Sequence, residues 1–348
     1  MEWTFFLALL AALKLLFWWA FRTLPREGWQ ILAAVPLHKT DSQNWSGLNL
    51  TYYGLFSANA YMLATVIYFI LISAMGIPLK ASFMFILFMF LFCIPSSRIL
   101  AGLIEKKRNT FTVGGAAFVG ILIAPFIITM VNLTPDTGLT SPIPVIPVMA
   151  IISVAYAFGE GTGRLACISF GCCYGRPIAD LDPRIRRFAE RFAFIFSGKT
   201  KKIAYEAGLD GRQVIPVQAM TAVIFTAAGF LGMFLFLRGA AGIAFILVLV
   251  VTQGWRFASE MLRADYRGGG RITVYQIMTA IAVLYALAIM LVFGAEPYRA
   301  DLGNGIRTLW DPAVILGLQG FWLCLFLYTG RSRVTGSTMT FHVRNDMV

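Results

Sequence analysis

The amino-acid sequence predicts an all-α, polytopic membrane protein built as a transmembrane helical bundle of about nine helices. Of the 348 residues, 58% are hydrophobic and 13% are charged, whereas soluble domains carry about a quarter charged residues. The mean hydropathy of the chain is +0.74. A bilayer core of about 30 Å is crossed by roughly 20 helical residues. Apolar runs of about that length occur at 3–21, 50–76, 81–104, 111–133, 143–170, 214–237, 241–263, 272–293 and 312–329.

The first apolar run, residues 3–21, is expected to remain in the chain as a membrane anchor. A secretory signal peptide starts with basic residues and ends in a small-residue cleavage site. This segment starts with Glu2, and the residues just before Pro25 are not small. We therefore interpret residues 1–49 as an N-terminal membrane anchor and linker.

The rest of the chain is expected to divide at residue 293. Residues 50–293 form the predicted membrane core, and residues 294–348 add a C-terminal helix and a basic tail. Inside the core, the long connection 171–213 mixes Arg and Phe residues between Arg184 and Phe196. This composition is typical of a helix that lies on anionic lipid. We therefore predict a basic interfacial helix within the connection.

The net charge of +12 is concentrated in a few connections between the apolar runs. We interpret this as contact with anionic phospholipid head groups, because the sequence contains no recognisable nucleic-acid-binding module. If residue 1 lies outside the cell, the inner connections hold 20 Lys and Arg residues and the outer ones hold 4. The positive-inside rule then places the C-terminal tail in the cytoplasm.

A charged motif closes the fifth apolar run. Glu160 and Arg164 stand one helical turn apart, so they can form an ion pair on one helix face. Ionisable groups at membrane depth are costly and usually serve function, which makes both residues site candidates. Glycines allow close backbone approach, and they occur here at positions 159, 161, 163, 171 and 175. The motif predicts an anion-holding site at a membrane surface, with a purely structural ion pair as the alternative.

A second charged motif ends the seventh run, where Arg256, Glu260 and Arg263 fall at positions i, i+4 and i+7. This spacing predicts one stripe on one helix. Two guanidinium groups with one carboxylate leave an excess positive charge, and guanidinium binds phosphate through two parallel hydrogen bonds. Together with Arg164, the stripe predicts a phosphate clamp made by two helices. The alternative is an ion-pair network that only joins two helix ends.

Five cysteines occur, at positions 93, 167, 172, 173 and 324. They lack the paired spacing of a zinc site or of a secreted disulfide framework. We interpret Cys93 and Cys324 as small packing residues. Cys167, Cys172 and Cys173 stay open, because they lie in or beside the glycine-rich motif.

The motifs together resemble the prolipoprotein diacylglyceryl transferase family over residues of about 50 to 293. The resemblance rests on the order and spacing of Gly163-Arg164-Leu165, the Gly171 to Arg176 turn, Pro216-Val217-Gln218 and the segment from Arg256 to Arg263. Tyr52-Tyr53-Gly54-Leu55 and Gly114-Gly115 also match. The resemblance implies a seven-helix core, here with one additional helix at each end.

That family transfers the diacylglyceryl group of phosphatidylglycerol to the cysteine thiol of a prolipoprotein in the bacterial inner membrane, and the resemblance implies neither a metal nor a cofactor. It implies that Arg164 and Arg256 surround the lipid phosphate as catalytic residues. Glu260 and Arg263 would orient them, and Tyr53 matches the family's functional tyrosine. The other motif positions expected to contact substrate are Gly114, Gly115, Gly163, Gly171, Cys172, Tyr174, Gly175, Arg176 and Gln218.

The chain departs from the family at its histidines. Val113 and Ile215 stand where the family has His. The chain's only histidines, His38 and His342, lie outside the matched region. No imidazole base is therefore expected in the core.

Another side chain is then expected to act as general base towards the acceptor. Glu160 is the first candidate, followed by Tyr53 and Cys172. Cys167 and Cys172 also replace polar residues of the family motif. Because the motif departs from that of the family, the expected acceptor is either a prolipoprotein thiol or a similar nucleophile.

Three functional interpretations remain open. The first is diacylglyceryl transfer to a prolipoprotein, and the second is diacylglyceryl or glyceryl transfer from phospholipid to another thiol or hydroxyl acceptor. The third is binding or transport of an anionic lipid without chemistry, although the sequence has no internal repeat of the kind that transporters use. The resemblance implies that connection 171–213 faces the periplasm, whereas the basic residues predict that it faces the cytoplasm.

Overall fold

The computed structural model describes residues 2–106, 112–266, 272–294 and 297–348. Within these ranges, nine helices are long and apolar enough to cross a membrane. The predicted polytopic helical bundle is therefore confirmed. The helices are α1 (Glu2–Thr23), α2 (Tyr52–Ala74), α3 (Leu79–Glu105), α4 (Val113–Leu133), α5 (Val145–Phe170), α6 (Pro183–Ala189), α7 (Lys202–Ala207), α8 (Val217–Leu237), α9 (Ala241–Glu260), α10 (Val274–Phe293), α11 (Leu302–Thr308) and α12 (Pro312–Gly330). Of these, α6, α7 and α11 are too short to span.

Helix α5 lies at the centre of the bundle and packs against α2, α8 and α9. Its glycines allow this close approach. A Cβ atom at Gly161 would lie 2.8 Å from Cγ2 of Thr226 on α8, and one at Gly159 would lie 2.8 Å from Cβ of Ala64 on α2. Small residues at such contacts are the usual means by which membrane helices pack closely. Because α5 carries the first charged motif, the bundle holds these charges at its centre.

Side chains and one glycine fix the helix ends near the two charged motifs. The Thr112 hydroxyl accepts a hydrogen bond from the Gly115 N–H (3.4 Å) at the start of α4. Thr273 forms a capping box with Gln276 at the start of α10. Gly171 caps the end of α5 with a φ of 73°, a left-handed conformation that glycine adopts without a steric penalty. The chain therefore turns sharply directly after α5.

Three strands form a small antiparallel sheet outside the helical bundle. They are β1 (Ile31–Lys39), β2 (Asn44–Thr51) and β5 (Arg331–Thr340), in the spatial order β1-β2-β5. The sequence analysis expected only a linker and a tail in these segments. Hydropathy does not reveal the sheet, because β1 is almost entirely exposed and has no buried face. Since the spans alternate in direction, the sheet lies at the end of the bundle where α5 and α9 finish.

The connection 171–213 does not form the continuous interfacial helix predicted between Arg184 and Phe196. Helix α6 ends at Ala189, and the chain then enters β3 (Phe194–Ile195), which pairs with β4 (Gln213–Val214). Phe194 and Phe196 are buried in a cluster with Phe17 and Leu24 near the end of α1. Only Phe188 and Phe192 are exposed as an interfacial helix requires. Half of the aromatic residues therefore anchor the connection to the protein instead of to lipid.

Candidate functional site

The two charged motifs meet at a narrow polar cavity of about 20 Å³. The cavity lies where α5 and α9 end and α8 begins, which we call the site end of the bundle. Its charged and hydrogen-bonding lining includes Arg164, Cys173, Gln218, Arg256, Glu260 and Arg263. Residues that are far apart in the sequence are thus brought together around a space about large enough for one water molecule.

Glu160 bridges the two arginines of different helices. It forms an ion pair with Arg164 one turn later on α5, as its spacing predicts. Its Oε1 also lies 3.5 Å from Nη1 of Arg256 on α9. The three side chains are only 4%, 12% and 12% exposed, respectively. A buried carboxylate between two guanidinium groups holds both cations in place and offsets part of their charge.

Tyr156 is a site residue that the sequence analysis missed. Its hydroxyl accepts a hydrogen bond of 2.6 Å from Nη1 of Arg256. Tyr156 stands one helical turn before Glu160 on α5, so the same spacing that identified Arg164 could have identified it. Arg256 is therefore held from one side by two consecutive turns of α5.

The Gly114-Gly115 pair lies on the other side of Arg256. A Cβ atom at Gly114 would overlap the Arg256 guanidinium group. One at Gly115 would lie 2.7 Å from Cγ2 of Thr112 and 2.9 Å from Cδ1 of Leu100. The first glycine thus makes room for the arginine, and the second makes room for the packing of α3 on α4.

Arg263 does not lie on the helical stripe that the sequence predicted. Helix α9 ends at Glu260, and Arg263 lies in an extended segment that forms an antiparallel bridge with Gly175. Its guanidinium group binds both oxygens of Asp265, at 2.7 and 2.5 Å, and lies 3.8 Å from Glu260. Asp265 was missed by the sequence analysis. Arg263 still lines the cavity, although its two-pronged donor face is occupied by a carboxylate.

Two buried polar atoms at the cavity have no protein hydrogen-bond partner among the described residues. They are Nε of Arg164, a donor, and Oε1 of Gln218, an acceptor. The amide group of Gln218 is oriented by its Nε2, which donates to the Cys172 carbonyl oxygen (2.8 Å). Unpartnered groups of this kind are rare in native proteins and call for a water molecule or a ligand. The site therefore contains one donor and one acceptor whose hydrogen-bonding capacity the described residues leave unused.

Three thiols cluster beside the cavity. The sulfur atoms of Cys167, Cys172 and Cys173 lie within 4.8 Å of one another. Cys173 has a φ of 56°, a left-handed conformation that is uncommon for residues other than glycine. The pKa of the Cys173 thiol is held well below its ordinary value, because it accepts hydrogen bonds from the other two thiols and faces Arg263 and Arg164. Tyr53 lies close enough to this thiol cluster to interact with it electrostatically.

Two of the remaining predicted positions build the turn after α5 rather than lining the cavity. Tyr174 is buried, and its hydroxyl donates to Oε2 of Glu206 (3.3 Å). Gly175 packs directly on the backbone of Ile215. Both residues therefore support the site by fixing the path of the chain.

Arg176 and Gly163 also lie outside the lining of the polar cavity. Arg176 is exposed, while its backbone N–H donates to the Leu262 carbonyl oxygen (2.9 Å). Gly163, within α5, has ordinary packing, because a Cβ atom at this position would lie 3.5 Å from Cβ of Ala60. Their expected contact with substrate stays a prediction.

A second, apolar cavity of about 220 Å³ is linked to Arg256 through Tyr156. It is formed by α2, α3, α4, α5, α9 and α12 and is lined mainly by aromatic and small aliphatic side chains. Tyr156 connects the two spaces, because its ring lines the apolar cavity and its hydroxyl binds Arg256. Arg98 stands at this cavity with its guanidinium carbon 4.5 Å from the ring centre of Tyr328.

The chain matches a protein-family model over most of its length. The family model described as prolipoprotein diacylglyceryl transferase matches residues 43–292. The matched range contains every residue of both cavities except those contributed by α12. Comparison with curated proteins and with solved structures gives no significant match.

Proposed function

Because the chain belongs to the prolipoprotein diacylglyceryl transferase family, we propose that it transfers the diacylglyceryl group of phosphatidylglycerol, or of a similar anionic phospholipid, to a thiol acceptor. The acceptor is the cysteine of a prolipoprotein or a chemically similar nucleophile. The protein is a multi-pass membrane protein, and we assign it to the bacterial inner membrane, where such donors and acceptors occur together.

The observation that carries this proposal is the pair of buried arginines between a polar and an apolar cavity. Arg164 and Arg256 come from different helices and are held by one carboxylate, Glu160. The unpartnered Nε of Arg164 suits a phosphate oxygen, and the unpartnered Oε1 of Gln218 suits a hydroxyl or thiol donor. A phosphate ester that carries a hydroxyl-bearing head group meets both requirements at once.

The adjoining apolar cavity supports the same assignment. Its volume of about 220 Å³ and its apolar lining suit part of an acyl chain. A phospholipid bound with its phosphate at the arginines would place its glycerol near Tyr156, between the two cavities.

The reaction is a displacement at the glycerol carbon that carries the phosphate. The acceptor thiol loses its proton to solvent, its sulfur forms a bond to this carbon, the carbon–oxygen bond breaks, and the electron pair leaves with glycerol phosphate. Negative charge increases on the departing phosphate, where Arg164 and Arg256 stabilise it. Because the carboxylate of Glu160 is engaged by both arginines, we assign Glu160 to positioning them rather than to proton abstraction.

The proposal is tested by removing each arginine. The full-length protein is placed in nanodiscs that contain phosphatidylglycerol, and thioether formation on a single-cysteine peptide is followed by mass spectrometry together with release of glycerol phosphate. We expect Arg164→Ala and Arg256→Ala to lower turnover by at least about 10²-fold, the scale of losing a charge-stabilising donor. Wild-type turnover in both variants would contradict the phosphate clamp.

Arg238→Ala is the matched control for this experiment. Arg238 follows α8 at the opposite end of the bundle, and its side chain is 53% exposed. Its ion-pair partner is Glu2, at 3.9 Å, whose side chain is 42% exposed. Because surface ion pairs contribute little, we expect this variant to keep wild-type turnover and stability.

A non-lipoprotein acceptor is the second candidate, and the charge distribution favours it. The alternation of the spans puts the connections 22–49, 171–213 and 330–348, which hold 15 Lys and Arg residues, at the site end, whereas the connections at the opposite end hold 4. The positive-inside rule then orients the cavity towards the cytoplasm, which secreted prolipoproteins do not enter after export. An acceptor on that side would be a cytoplasmic thiol or hydroxyl compound.

Labelling with an impermeant maleimide distinguishes the two acceptors. A cysteine is introduced at Arg187, which is exposed on α6, in a chain that carries Cys324→Ser, and labelling is compared with the same chain lacking the new cysteine. Labelling from outside intact cells supports a prolipoprotein acceptor. Labelling only after the membrane is opened excludes it and directs the search to cytoplasmic acceptors.

A further inference from the structure

We propose that Cys167, Cys172 and Cys173 bind a zinc ion whose fourth coordination position takes the sulfur of the acceptor thiol. The metal-binding part of this inference is independent of the proposed function. The role of the metal in activating the acceptor rests on it.

The geometry of the thiol cluster suits a tetrahedral metal. Its three sulfur atoms lie within 4.8 Å of one another. Three thiolates on one zinc ion, each with a bond of about 2.3 Å, are about 3.8 Å apart. Closing the cluster around zinc therefore requires side-chain shifts of at most about 1 Å, without a new backbone path.

The backbone brings adjacent cysteines to the same point. Neighbouring side chains normally diverge, but α5 ends at Phe170, Gly171 turns the chain with a φ of 73°, and Cys173 has a φ of 56°. As a result, the sulfur of Cys173 meets those of Cys167 and Cys172. A non-glycine residue in this conformation costs about 1 kcal/mol or more, and such strain is concentrated at functional sites. The Gln218 amide group fixes the turn by donating to the Cys172 carbonyl oxygen (2.8 Å).

The chemistry of the ligand set selects zinc and leaves one position open. Thiolates favour thiophilic ions such as zinc, and three protein ligands with an open fourth position are typical of catalytic rather than structural zinc. The surrounding charges match such a site. Nη1 of Arg164 lies 4.0 Å from Sγ of Cys167, and Cys173 faces Arg263. Three thiolates with a fourth sulfur on zinc carry a net charge of about −2, which the guanidinium groups of Arg164 and Arg263, themselves paired with Glu160 and Asp265, offset only in part.

An open zinc position would supply a means of removing the proton of the acceptor thiol, for which the cavity has no imidazole base. Val113 and Ile215 stand where the family has His, and neither His38 nor His342 lines the polar cavity formed by the described residues. A thiol that coordinates a zinc ion loses its proton without a strong base. Because Cys173 lines the same cavity as Arg164 and Arg256, the activated sulfur would stand next to the phosphate-binding arginines.

The transfer requires no reactant other than the acceptor thiol and the phospholipid. The acceptor thiol binds zinc and releases its proton to solvent, and its sulfur lone pair forms the bond to the glycerol carbon. The bond from this carbon to the phosphate oxygen breaks, and its electrons leave with glycerol phosphate. The thioether product is a weaker ligand than a thiolate, so it leaves the metal and the position opens again.

The binding test uses the full-length protein in detergent with a reducing agent. Metal is removed with a chelator, zinc is added back, and unbound ions are dialysed away. We expect about one zinc ion per chain by mass spectrometry of the metal, and cobalt in its place should give the intense thiolate-to-metal absorption of a tetrahedral site. Cys172→Ser should lower the zinc content at least about tenfold, the usual scale for losing part of a metal's environment.

Cys324→Ser is the control, because Cys324 is exposed on α12 and lies outside the thiol cluster. It should keep the zinc content of the wild type. If Cys172→Ser fails to fold, zinc uptake by the wild-type protein still tests the inference. If the stripped wild type unfolds at its normal temperature and still takes up no zinc, or forms a disulfide in its place, the inference is overturned.

Transfer activity separates this inference from the proposed function. With the peptide thiol as acceptor, the zinc-stripped protein should turn over about 10²-fold more slowly, and added zinc should restore the rate. A full rate without zinc would overturn the inference and leave the transferase proposal intact. Zinc uptake without transfer by either form would overturn the proposed function, and with it the role given to the metal.

Discussion

The polar cavity and the apolar cavity are neighbours, yet they are built in opposite ways. In the polar cavity of about 20 Å³, charged groups hold one another through Glu160, Tyr156 and Asp265. The apolar cavity of about 220 Å³ is lined mainly by aliphatic and aromatic side chains. On the proposed function, we expect the first space to hold the phosphate-binding groups in one geometry and the second to accept acyl chains of variable length.

The largest effect is expected from breaking the charge balance of the polar cavity with Glu160→Gln. Without the carboxylate, Arg164 and Arg256 repel each other and lose their common anchor, although phosphate can still bind to them. We expect kcat to fall about 10²-fold while KM for the phospholipid does not rise, because positioning is lost and not attraction. Steady-state kinetics in nanodiscs measure both constants.

Glu190→Gln is the control for this substitution. Glu190 forms a pair of the same i, i+4 spacing with Arg186, at 3.0 Å, but both side chains are 41–51% exposed. It should leave both constants unchanged, as exposed pairs contribute little. A normal kcat for Glu160→Gln would mean that the buried pair serves packing alone.

A steric change in the same cavity should have the next largest effect. Gly114→Ala adds a methyl group that would overlap the Arg256 guanidinium group. Since a shift of about 1 Å in a catalytic group can cost up to about 10²-fold, we expect a loss of roughly 30-fold in kcat/KM. Gly254→Ala on α9 is the control, because a Cβ atom there meets nothing within 4 Å. Equal activities of the two variants would contradict a precise position for Arg256.

The apolar cavity predicts a smaller effect that depends on the length of the acyl chain. Ala117 lines this cavity on α4, so Ala117→Phe would shorten the space available to a chain. Excluding two methylene groups costs about 1.6 kcal/mol, so we expect roughly a tenfold rise in KM for a long-chain donor. A short-chain donor should be unaffected, and Ala280→Phe, at an exposed position on α10, should affect neither. Equal losses for both donors would exclude acyl-chain binding in this cavity.

The sequence was sufficient for the spans and for the pairing of Glu160 with Arg164, because hydropathy and helical spacing are local properties. It failed where contacts depend on how helices end. Arg263 leaves the predicted stripe since α9 stops at Glu260, and its partner Asp265 becomes visible only in the extended segment that follows. Helical spacing gives no information there.

The cavity residues show the same limit. The thiol cluster has no helical or metal-binding spacing, because it depends on the left-handed φ values of Gly171 and Cys173. The apolar cavity is formed by six helices and cannot be read from any one of them. Tyr156 could have been found, since it stands one turn from Glu160. The roles of all these residues stay predictions until the variants are measured.

Lys201 lies outside both cavities, and its buried charge gives a prediction about stability instead of activity. Its ammonium group is buried and donates to the carbonyl oxygens of Leu24 (3.1 Å) and Ser169 (2.6 Å), which joins the ends of α1 and α5. Burial lowers the pKa of Lys201 from 10.5 to about 8.

Between these pKa values the unfolded chain keeps a proton that the folded protein has lost, so the free energy of unfolding should rise with pH, by up to about 3 kcal/mol. Below pH 8 the lysine is protonated in both states and this gain is absent. Thermal unfolding at pH 7 and pH 10 should show the rise in the wild type relative to Lys201→Met, which has no proton to lose, whereas parallel pH profiles would place the charge of Lys201 in solvent.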